Sequence, residues 1–548
     1  MVFKRFALFF VTCSALFGSA LSFDTLSAYP RSLAKDYYIY RYLTEHTPTP
    51  QEAWELLGQA QRMSNTLLYA FGDTVQEPGF KEAIACLRLD KKAFLTASTD
   101  CRAIRMSPSF FLTLSKTEQD HVIKTVQTAY PETFAWMTSL RAEDPHAAML
   151  ENGATQFLYL FTSTGEGFRN QTLNRPLSKE TLHSFSTEPL FQSFVTQVLF
   201  ERTHTELATS LLTLSPQESR PSAQSAFFLG LIALQHDLLP LADAWFAVSF
   251  EGASLRFDKD KALFWRYLVT QENHYLEALV ESFDINMYTL AAYEKLGKPL
   301  PDFPRLSPQE EALLGYSATD PFTWRFTLDH LRGSEPQELE AFAKRFNTQA
   351  TLPQYAFMQE RLNRYQVPYF IMPYGEFLEG VEAKRKALIF AIARQESRFI
   401  PAAISTSYAL GMMQFMPFLA RDIAKKQGMQ NFDIDHMFQP QIAYRFANIH
   451  LDYLEAWLYH PVLVAYAYNG GIGFVRRTLQ RGDLFTKGPY EPFLSMELVP
   501  YAESREYGKK VLANYVIYRR LLGEDVSIWD LFERLSEPDA TDRFRSPK

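Results

Sequence analysis

One segment of the sequence places a carboxylic acid where it could transfer a proton. Residues 387–399 have the pattern of a buried helix, and apolar residues lie seven and four positions before Glu396. That spacing puts Glu396 on the apolar stripe, near the carboxyl end of the helix. Burial and the negative end of the helix dipole both favour a neutral carboxyl group, which suits a general acid. The alternative is that Glu396 turns aside and pairs with Arg394 or Arg398.

Three later segments set polar side chains beside glycines or at helix ends. They are residues 411–417 (Gly-Met-Met-Gln-Phe-Met-Pro), 465–471 (Ala-Tyr-Ala-Tyr-Asn-Gly-Gly) and 500–507 (Pro-Tyr-Ala-Glu-Ser-Arg-Glu-Tyr). In the first, Gln414 stands among methionines and needs a polar partner. In the second, a helix stops at two glycines and leaves Tyr468 and Asn469 at a turn. In the third, Glu503 lies in the first turn of a helix that we expect to run through Leu521. Taken singly, each segment also has a structural explanation, such as a capping glutamine among core methionines.

Together, and in this order, the four segments resemble the lytic transglycosylase domain of the soluble lytic murein transglycosylase family. The family's landmarks are a Glu-Ser pair, a Gly-Leu-Met-Gln-Leu-Met-Pro-like loop, an Ala-Tyr-Asn-Ala-Gly-like turn and a late Glu-Thr-Arg-like helix start. The resemblance covers residues 375–525, about a quarter of the chain, and implies a goose-type-lysozyme-like fold. The helical region ahead of it resembles the family's ring-shaped superhelical region by its architecture and not by a motif.

The chain departs from the family pattern in this region. Four conservative replacements stand at Met412, Phe415, Gly470 and Ser504. Tyr408, between Ser405 and Gly411, occupies a position where the family usually has glycine. We expect this tyrosine to change the shape of the loop and, with it, the width of the cleft.

The resemblance implies a mechanism with a single acid. Most glycosidases use two carboxyl groups, but Asp422, Asp433 and Asp435 have the sequence surroundings of solvated side chains. Glu396 would protonate the bond between N-acetylmuramic acid and N-acetylglucosamine, while the substrate's acetamido oxygen stabilises the oxocarbenium-like centre. Glu396 would then take the proton of the muramoyl 6-hydroxyl, which attacks the anomeric carbon and gives a 1,6-anhydro product without water.

The resemblance also assigns the other site residues position by position. The substrate-binding candidates are Ser405, Met413, Gln414, Met416, Tyr468, Asn469 and Glu503. Ser405 would bond Glu396 or the muramoyl group, and Gln414 would hold the acetamido region with a methionine of its loop beside it. Tyr468 would orient Glu396 or the sugar, and Glu503 would support the floor of the cleft. Neither a metal nor a cofactor is implied.

Three other functions fit parts of the pattern. A muramidase, a hydrolase of the same fold, would need a water-activating carboxylate that the sequence does not show. A non-catalytic helical scaffold that binds murein would be expected to lack the acid that Glu396 provides. A metal enzyme would need clustered ligands, whereas His436, His450 and His460 are typical of surface or capping residues.

Helical periodicity dominates the chain, and alternating runs typical of strands are scarce. The clearest helical runs are residues 51–63, 116–129, 222–235, 239–250 and 337–346. Helix-start signals include Ser115 ahead of Glu118, then Ser178, and the proline-containing stretch 307–310. The sequence therefore predicts an all-α protein whose acid and polar loops are positioned by helix ends.

We predict three parts along the chain. Residues 1–22 are an export signal, and residues 23–370 are a superhelical array of short helices, with a linker part near 300–370. The array could close into a ring, and its pair of helices over 222–250 is the most repeat-like piece. Prolines near residues 366–374 mark the boundary to a lysozyme-like catalytic domain over 371–548.

The first residues have the pattern of a cleavable signal. Lys4 and Arg5 precede an apolar run and a group of small residues, which predicts cleavage after Ala20 or Ser22. Cys13 offers lipidation as an alternative, but the residues ahead of it lack the usual pattern. No later stretch is long and apolar enough to span a membrane. We expect a protein of the periplasm, without stable membrane insertion after the signal is removed.

The two remaining cysteines lie fifteen positions apart. In an exported chain, Cys86 and Cys101 predict one disulfide. Two buried free thiols are the alternative.

Charge is distributed unevenly along the chain. The whole sequence has a net charge of −7, although residues 381–548 alone have about +3. The basic C-terminal part is compatible with an acidic polymer such as peptidoglycan glycan strands, and the acidic remainder argues against nucleic acid. Proteins of cell-wall synthesis or degradation are candidate partners.

Overall fold

A computed structural model describes residues 21–309 and 313–545 of the chain. The predicted export signal lies outside the described residues except for its last two positions, and Cys13 lies outside them as well. Within these ranges every regular element is a helix, and extended pairing is limited to isolated bridges. The predicted all-α class is therefore confirmed. No helix in these ranges combines the length and the apolar character needed to cross a membrane.

The described residues form two compact units. The first unit contains residues 21–75, 283–294 and 298–545, and the second contains residues 76–282 with 295–297. The boundary near residue 370, the superhelical form of the region ahead of it and its closure into a ring stay predictions.

Many of the helices follow one another through short connections, whereas residues 398–416 form a longer one. Before residue 76 they are α1 (Phe23–Ala28), α2 (Leu33–Glu45), α3 (Pro50–Leu57) and α4 (Asn65–Thr74). In residues 76–282 they are α5 (Pro78–Leu87), α6 (Lys91–Thr96), α7 (Thr99–Arg105), α8 (Pro108–Phe111), α9 (Lys116–Val126), α10 (Pro131–Arg141), α11 (Pro145–Glu151), α12 (Ala154–Ser163), α13 (Glu166–Phe168), a π-helical turn (Arg169–Leu173), α14 (Lys179–Ser186), α15 (Phe191–Glu201), α16 (Thr205–Leu211), α17 (Ala223–Gln235), α18 (Leu239–Gly252), α19 (Arg256–Thr270) and α20 (His274–Val280). After residue 282 they are α21 (Met287–Lys295), α22 (Pro321–Gly333), α23 (Pro336–Lys344), a 3-10 turn (Gln349–Thr351), α24 (Leu352–Leu362), a 3-10 turn (Gly375–Leu378), α25 (Ala383–Ser397), α26 (Pro417–Lys426), a 3-10 turn (Ile434–Phe438), α27 (Pro440–Glu455), α28 (Pro461–Gly470), α29 (Ile472–Gln480), α30 (Phe493–Glu497), α31 (Ala502–Leu521), α32 (Ile528–Leu535) and α33 (Pro538–Thr541).

Several predicted helix starts are confirmed by their capping hydrogen bonds. Ser115 and Glu118 form a capping box at α9, in which each side chain accepts from the other residue's backbone N–H. Ser178 caps α14 and Ser222 caps α17. These bonds satisfy N–H groups that have no partner inside a helix. The pair predicted over 222–250 is present as α17 and α18.

The helix predicted over residues 51–63 is shorter than expected and ends at Leu57 as α3. The Asp36 carboxylate accepts hydrogen bonds from the backbone N–H groups of Gln61, at 2.7 Å, and Arg62, at 2.9 Å. A side chain from another helix thus holds this stretch in a non-helical turn.

The helix start predicted at residues 307–310 is wrong for the residues that the structure describes. Residues 307–309 are not helical, and Gln309 forms an isolated bridge with Thr348. The Gln309 N–H donates to the Asn347 carbonyl at 2.9 Å. Pairing with a distant segment has overridden the local capping pattern.

In the second unit, aromatic rings on consecutive helices form much of the core. The rings of Phe227, Phe246 and Trp265 lie on α17, α18 and α19, and all three side chains are fully buried. The Phe246 centroid is 5.4 Å from that of Phe227 and 5.7 Å from that of Trp265. A disulfide joins Cys86 on α5 to Cys101 on α7, with their Cα atoms 5.0 Å apart.

In the first unit, α25 is the central helix. Residues 387–393 are all buried, and α25 packs against α31, which in turn packs against α28. The carboxyl ends of α25 and α28 and the amino end of α31 carry Glu396, Tyr468 and Glu503, respectively. The packing of these three helices positions the predicted site.

An ion-pair cluster fixes α2 to the segment after α26. The Arg41 guanidinium is 3.0 Å from Asp433 and 2.8 Å from Asp435, and Tyr38 donates its hydroxyl hydrogen to Asp435 at 2.9 Å. The prediction that Asp433 and Asp435 are solvated is therefore wrong. Their side chains are only 18% and 17% exposed, because a helix almost 400 positions earlier in the chain covers them.

Candidate active site

Glu396 is the second-last residue of α25. The helix ends there because Arg398 and Phe399 adopt left-handed backbone conformations, with φ of 53° and 66°. The Glu396 side chain is half-buried and follows the fully buried stretch 387–393 of the helix. The apolar period of the sequence therefore placed the acid on the correct face.

The alternative pairing of Glu396 with its neighbouring arginines does not occur. Arg394 lies 3.2 Å from Glu360 on α24, and Arg398 also forms an ion pair with Glu360. Both guanidinium groups are thus engaged on a different carboxylate. Glu396 remains available for chemistry.

Tyr507 is the hydrogen-bond partner of Glu396. Its hydroxyl donates to Glu396 Oε1 at 2.7 Å, from a buried position on α31. Sequence analysis assigned no role to this tyrosine. The available signal was its spacing from Glu503, because residues four apart share one face of a helix.

The electrostatic surroundings keep Glu396 protonated. Burial raises the pKa of Glu396 to about 8, the hydrogen bond from Tyr507 lowers it, and the negative charge of Glu503 raises it. Desolvation is the largest of these causes, since a carboxylate loses more hydration than a neutral carboxyl group. At neutral pH the neutral acid is therefore the main form.

The loop between α25 and α26 is held by its own polar side chains. Ser405 Oγ accepts hydrogen bonds from the backbone N–H groups of Ser407, at 3.2 Å, and Ala409, at 2.9 Å. Isolated bridges from Leu410 to Ile404 and Phe415 complete the fold of the loop. In this structure the Ser405 side chain shapes the loop and is not hydrogen-bonded to Glu396.

Gln414 is the polar residue at the tip of this loop. It has a left-handed φ of 49°, and its amide nitrogen donates to the carbonyl oxygens of Ala403, at 3.3 Å, and Gly411, at 2.7 Å. Gly411 has a φ of +74°, and a Cβ there would overlap the Met437 carbonyl. The glycine is thus required for the turn that presents Gln414.

The two methionines beside Gln414 differ in their surroundings. The side chain of Met413 is fully buried, and its carbonyl accepts the hydroxyl hydrogen of Tyr468 at 2.9 Å. Met416 is half-buried and precedes the first turn of α26. Met413 therefore contributes to the site through its backbone, whereas Met416 is partly open to solvent.

These elements lie inside a segment with known relatives. Residues 379–487 match the family model of the transglycosylase SLT domain. We call these residues the SLT domain. It includes Glu396, Gln414, Tyr468 and Asn469, whereas Glu503 and Tyr507 follow it on α31.

Curated relatives of the SLT domain have related names. A soluble lytic murein transglycosylase of Salmonella typhimurium is 30% identical over 136 residues, which are 24% of this chain and 20% of that protein. A putative soluble lytic murein transglycosylase of Haemophilus influenzae is 27% identical over 207 residues, 36% of this chain and 33% of that protein. The chain therefore spans between a fifth and a third of the length of these relatives.

A solved structure aligns with a longer part of the chain. It is the crystal structure of the 70 kDa soluble lytic transglycosylase from Escherichia coli, with 17% sequence identity and a TM-score of 0.49. The alignment covers 91% of this chain and 82% of that one.

Within the SLT domain, Tyr468 is bonded to the loop that carries Gln414. Burial raises the pKa of the Tyr468 hydroxyl well above its usual value, and the charge of Glu396 raises it further. Tyr468 donates its hydrogen bond to the Met413 carbonyl of the loop. Tyr468 thus ties the loop to α28 beside Glu396.

Asn469 connects the SLT domain to α31. Its amide nitrogen donates to Glu503 Oε1 at 3.1 Å, and its amide oxygen accepts from the Ser504 hydroxyl at 2.6 Å. The next residue, Gly470, has no room for a side chain, because a Cβ would lie 2.7 Å from Ser504 Oγ and from Phe474 Cδ1. This crowding explains the glycine that replaces the family's alanine.

His450 is a residue of the SLT domain that sequence analysis placed wrongly on the surface or at a cap. Its half-buried ring lies edge-on to Tyr468, with centroids 5.5 Å apart, and near Phe415, at 6.1 Å. Burial lowers the pKa of His450 to about 4, so the ring is neutral at pH 7. His460 does cap α28, and His436 belongs to the cap at Asp433.

The structure gives no support for a metal site among the residues that it describes. No group of three or more histidine, cysteine, aspartate or glutamate side chains there is placed to hold a metal ion.

Tyr408 has a left-handed backbone conformation, which accounts for the glycine that the family usually has at this position. Its φ is 64°, a left-handed value that costs a non-glycine residue about 1–2 kcal/mol. Its ring is 3% exposed and packs on α2, with centroids 5.6 Å from Tyr40 and 5.8 Å from Tyr37. The side chain is thus turned into an aromatic contact with α2, which offsets the backbone cost.

Proposed function

We propose that this chain is a lytic transglycosylase that cleaves the bond between N-acetylmuramic acid and N-acetylglucosamine in peptidoglycan. The observation that supports this most strongly is the position of Glu396 at the end of α25, where Tyr507 donates a hydrogen bond to it and burial raises its pKa to about 8. The SLT domain match and the names of its relatives support the same reaction class. The product is a 1,6-anhydro-N-acetylmuramic acid end.

The reaction needs one residue that acts first as an acid and then as a base. Neutral Glu396 donates its proton to the glycosidic oxygen, and the bond from that oxygen to the anomeric carbon breaks. The substrate's acetamido oxygen stabilises the positive centre. Carboxylate Glu396 then takes the proton of the muramoyl 6-hydroxyl, whose oxygen bonds to the anomeric carbon. The acid is regenerated and no water is consumed.

Tyr507 fits both halves of this cycle. Its hydrogen bond to Glu396 Oε1 orients the carboxyl group while it is neutral. The same bond becomes stronger when Glu396 is ionised, because a charged acceptor binds a hydroxyl donor more tightly. Tyr507 therefore stabilises the carboxylate that the second half requires.

The substrate contacts involve the candidates predicted from the sequence. Two loop carbonyls engage the amide nitrogen of Gln414, so its amide oxygen is the atom that would accept the acetamido N–H of the substrate. Met416 would pack beside this group, and Tyr468 would face the sugar next to Glu396. Ser405 and Met413 would act through the loop. Asn469 and Glu503 would support the floor of the cleft as a bonded pair.

Hydrolysis by a muramidase route is the second candidate, and one observation bears on it. The negative charge of Glu503 raises the pKa of Glu396, and the Glu503 side chain is exposed in the first turn of α31. A hydrolase would need such a group to activate water. Here Asn469 donates a hydrogen bond to Glu503, which suits a positioning role better.

The wider context follows from the same proposal. The substrate is the glycan strand of peptidoglycan, and the location is the periplasm, reached through the signal predicted over residues 1–22. Residues 23–370 would be a superhelical region and residues 371–548 a lysozyme-like catalytic domain. Proteins of cell-wall synthesis or degradation are the proposed partners.

The ends of the product strands distinguish the two candidate reactions. Digests of purified murein sacculi, treated with borohydride, can be separated and weighed by mass spectrometry. Transglycosylation gives anhydro ends that borohydride does not reduce, whereas hydrolysis gives reducing muramic acid ends. A predominance of reducing ends would overturn the proposal in favour of a muramidase.

A further inference from the structure

Three ring-bearing residues form a row at the end of α27. His450 and Tyr453 lie three positions apart on one face of α27, and Trp457 follows in the turn after Glu455, the last residue of the helix. The rings of His450 and Tyr453 are stacked, with centroids 6.1 Å apart and planes inclined by 22°. We call these three residues the aromatic row.

The outer part of the aromatic row is open to solvent. Tyr453 is 52% exposed and Trp457 is 41% exposed. Rings that stabilise a core are buried, as on α17 to α19, so core packing does not account for this exposure. An exposed pair of aromatic rings is a surface suited to binding.

The chain's last described segment holds the outer end of the aromatic row in place. Trp457 stacks on Phe544, with centroids 5.5 Å apart and planes inclined by only 7°. The Trp457 carbonyl accepts from the Arg543 N–H at 3.0 Å, and the Arg543 side chain donates to the Tyr459 hydroxyl at 2.6 Å. The indole is therefore fixed before any ligand arrives, which lowers the entropy cost of binding.

The inner end of the aromatic row reaches the candidate active site. His450 is in edge contact with Tyr468, whose hydroxyl donates to the Met413 carbonyl in the loop that carries Gln414. Contacts between side chains thus lead from this loop to the exposed rings at the end of α27. This continuity indicates that a strand bound at the loop extends over the aromatic row.

We infer that the aromatic row binds sugar rings of the glycan strand beyond the bond that is cleaved. The inference rests on the proposed function for the identity of the strand. The apolar C–H faces of pyranose rings stack on aromatic side chains, as other flat apolar groups do. The aromatic row would favour long strands over short fragments.

Kinetics on substrates of two lengths test this role. The variants Tyr453→Ala and Trp457→Ala should lower kcat/KM on long, peptide-free glycan strands by about 3- to 10-fold each. The loss should lie mainly in KM. On a tetrasaccharide with one cleavable bond the loss should be several times smaller. Phe326→Ala is the matched control, because Phe326 is also 52% exposed and lies on α22.

Several outcomes would overturn the inference. If kcat/KM falls equally on the long strand and on the tetrasaccharide, the rings maintain the structure of the site instead of binding distant sugars. If kcat/KM of Tyr453→Ala and Trp457→Ala equals that of Phe326→Ala, sugars do not contact these rings. Tyr453→Phe keeps the ring and should restore wild-type kinetics, so a defect in this variant would also contradict stacking. Thermal unfolding midpoints check that each variant is folded.

A binding measurement separates this inference from the proposed reaction. In a Glu396→Gln background, co-sedimentation with long glycan strands should weaken by the same 3- to 10-fold when Tyr453→Ala is added. If the wild type forms no anhydro ends, the proposed function fails whatever the binding shows. If the wild type forms them but Tyr453→Ala binds strands as tightly as its parent, only the aromatic row is contradicted.

Discussion

At the scale of single residues, Glu396 is the group whose protonation decides what the site can do. Burial raises its pKa to about 8, Tyr507 lowers it and Glu503 raises it. Since this value lies above neutral pH, the acid needed to protonate an oxygen is the main form at pH 7. Activity should therefore fall as the pH rises through about 8 and Glu396 loses its proton.

The variant Tyr507→Phe should raise the pKa of Glu396. The phenol stabilises the carboxylate more than the neutral acid, so its removal favours the protonated form. The alkaline limb of kcat/KM should move up by about one pH unit, and kcat should fall about 10-fold because the base step loses support. A pH–rate profile measures both changes. As a control, Tyr515→Phe removes a phenol from the same helix and should leave the alkaline limb of kcat/KM unchanged. If the limb does not move in Tyr507→Phe, Tyr507 does not stabilise the Glu396 carboxylate.

The sequence predicts some of these residues and not others for a physical reason. The face that carries Glu396 follows from the apolar period of one helix, which is a local property. The contact between Tyr507 and Glu396 joins positions 111 apart, so no local pattern contains it. The same holds for His450, whose burial results from rings on two other elements.

At the scale of elements, α2 and the loop that carries Gln414 are linked through Tyr408. The loop's backbone turns through a left-handed φ of 64° at this residue, and the ring is buried against Tyr37 and Tyr40. Arg41 adds ion pairs to Asp433 and Asp435 on the far side of α26. Helix α2 thus stabilises the loop of the SLT domain from outside the matched segment.

Removal of either ring should loosen this link. Tyr408→Gly and Tyr40→Ala should each lower the free energy of unfolding by about 1–3 kcal/mol and raise KM on glycan strands. The Tyr408→Gly loss is the smaller of the two, since glycine also relieves the left-handed φ. The double variant should lose less unfolding free energy than the two single variants lose together. Urea unfolding should give a coupling energy of about 0.5–3 kcal/mol between the two positions. Strict additivity would contradict a direct contact between loop and helix.

Helix bounds show which interactions override a local pattern. Helix α31 ends at Leu521 as predicted, because its start and stop signals lie within its own sequence. Helix α3 ends early because Asp36 of α2 binds the backbone after it. The shape of the loop at Tyr408 was predicted to differ from the family, but the helix that accommodates the ring could not be identified from spacing.

At the scale of the whole molecule, the chain divides into two compact units, and the candidate site lies in the first. Glu396, Tyr507 and Tyr408 all belong to this unit, together with the N-terminal helix α2. The order of the motifs predicted the segment that matches the SLT domain. The grouping of residues 21–75 with it could not be predicted, because it depends on contacts between distant parts of the chain.

The disulfide belongs to the second unit. Replacement of Cys86 and Cys101 by serine should lower the free energy of unfolding of this unit by about 3 kcal/mol, because the bridge closes a loop of 15 positions. Urea unfolding without reductant measures this, and the wild type with reductant should match the variant. Turnover at 25 °C should stay unchanged, since no residue of the site is in this unit. Unchanged stability would contradict a structural role for the bridge.

The central claim is that Glu396 alone serves as acid and base. Mass spectrometry of sacculus digests from the wild type and from Glu396→Gln tests it most directly, with Glu379→Gln as an exposed control on the same domain. The wild type and the control should release 1,6-anhydro muramic acid ends, and Glu396→Gln should release about 100- to 10,000-fold fewer while it remains folded. Anhydro ends from Glu396→Gln at the wild-type rate would contradict the account.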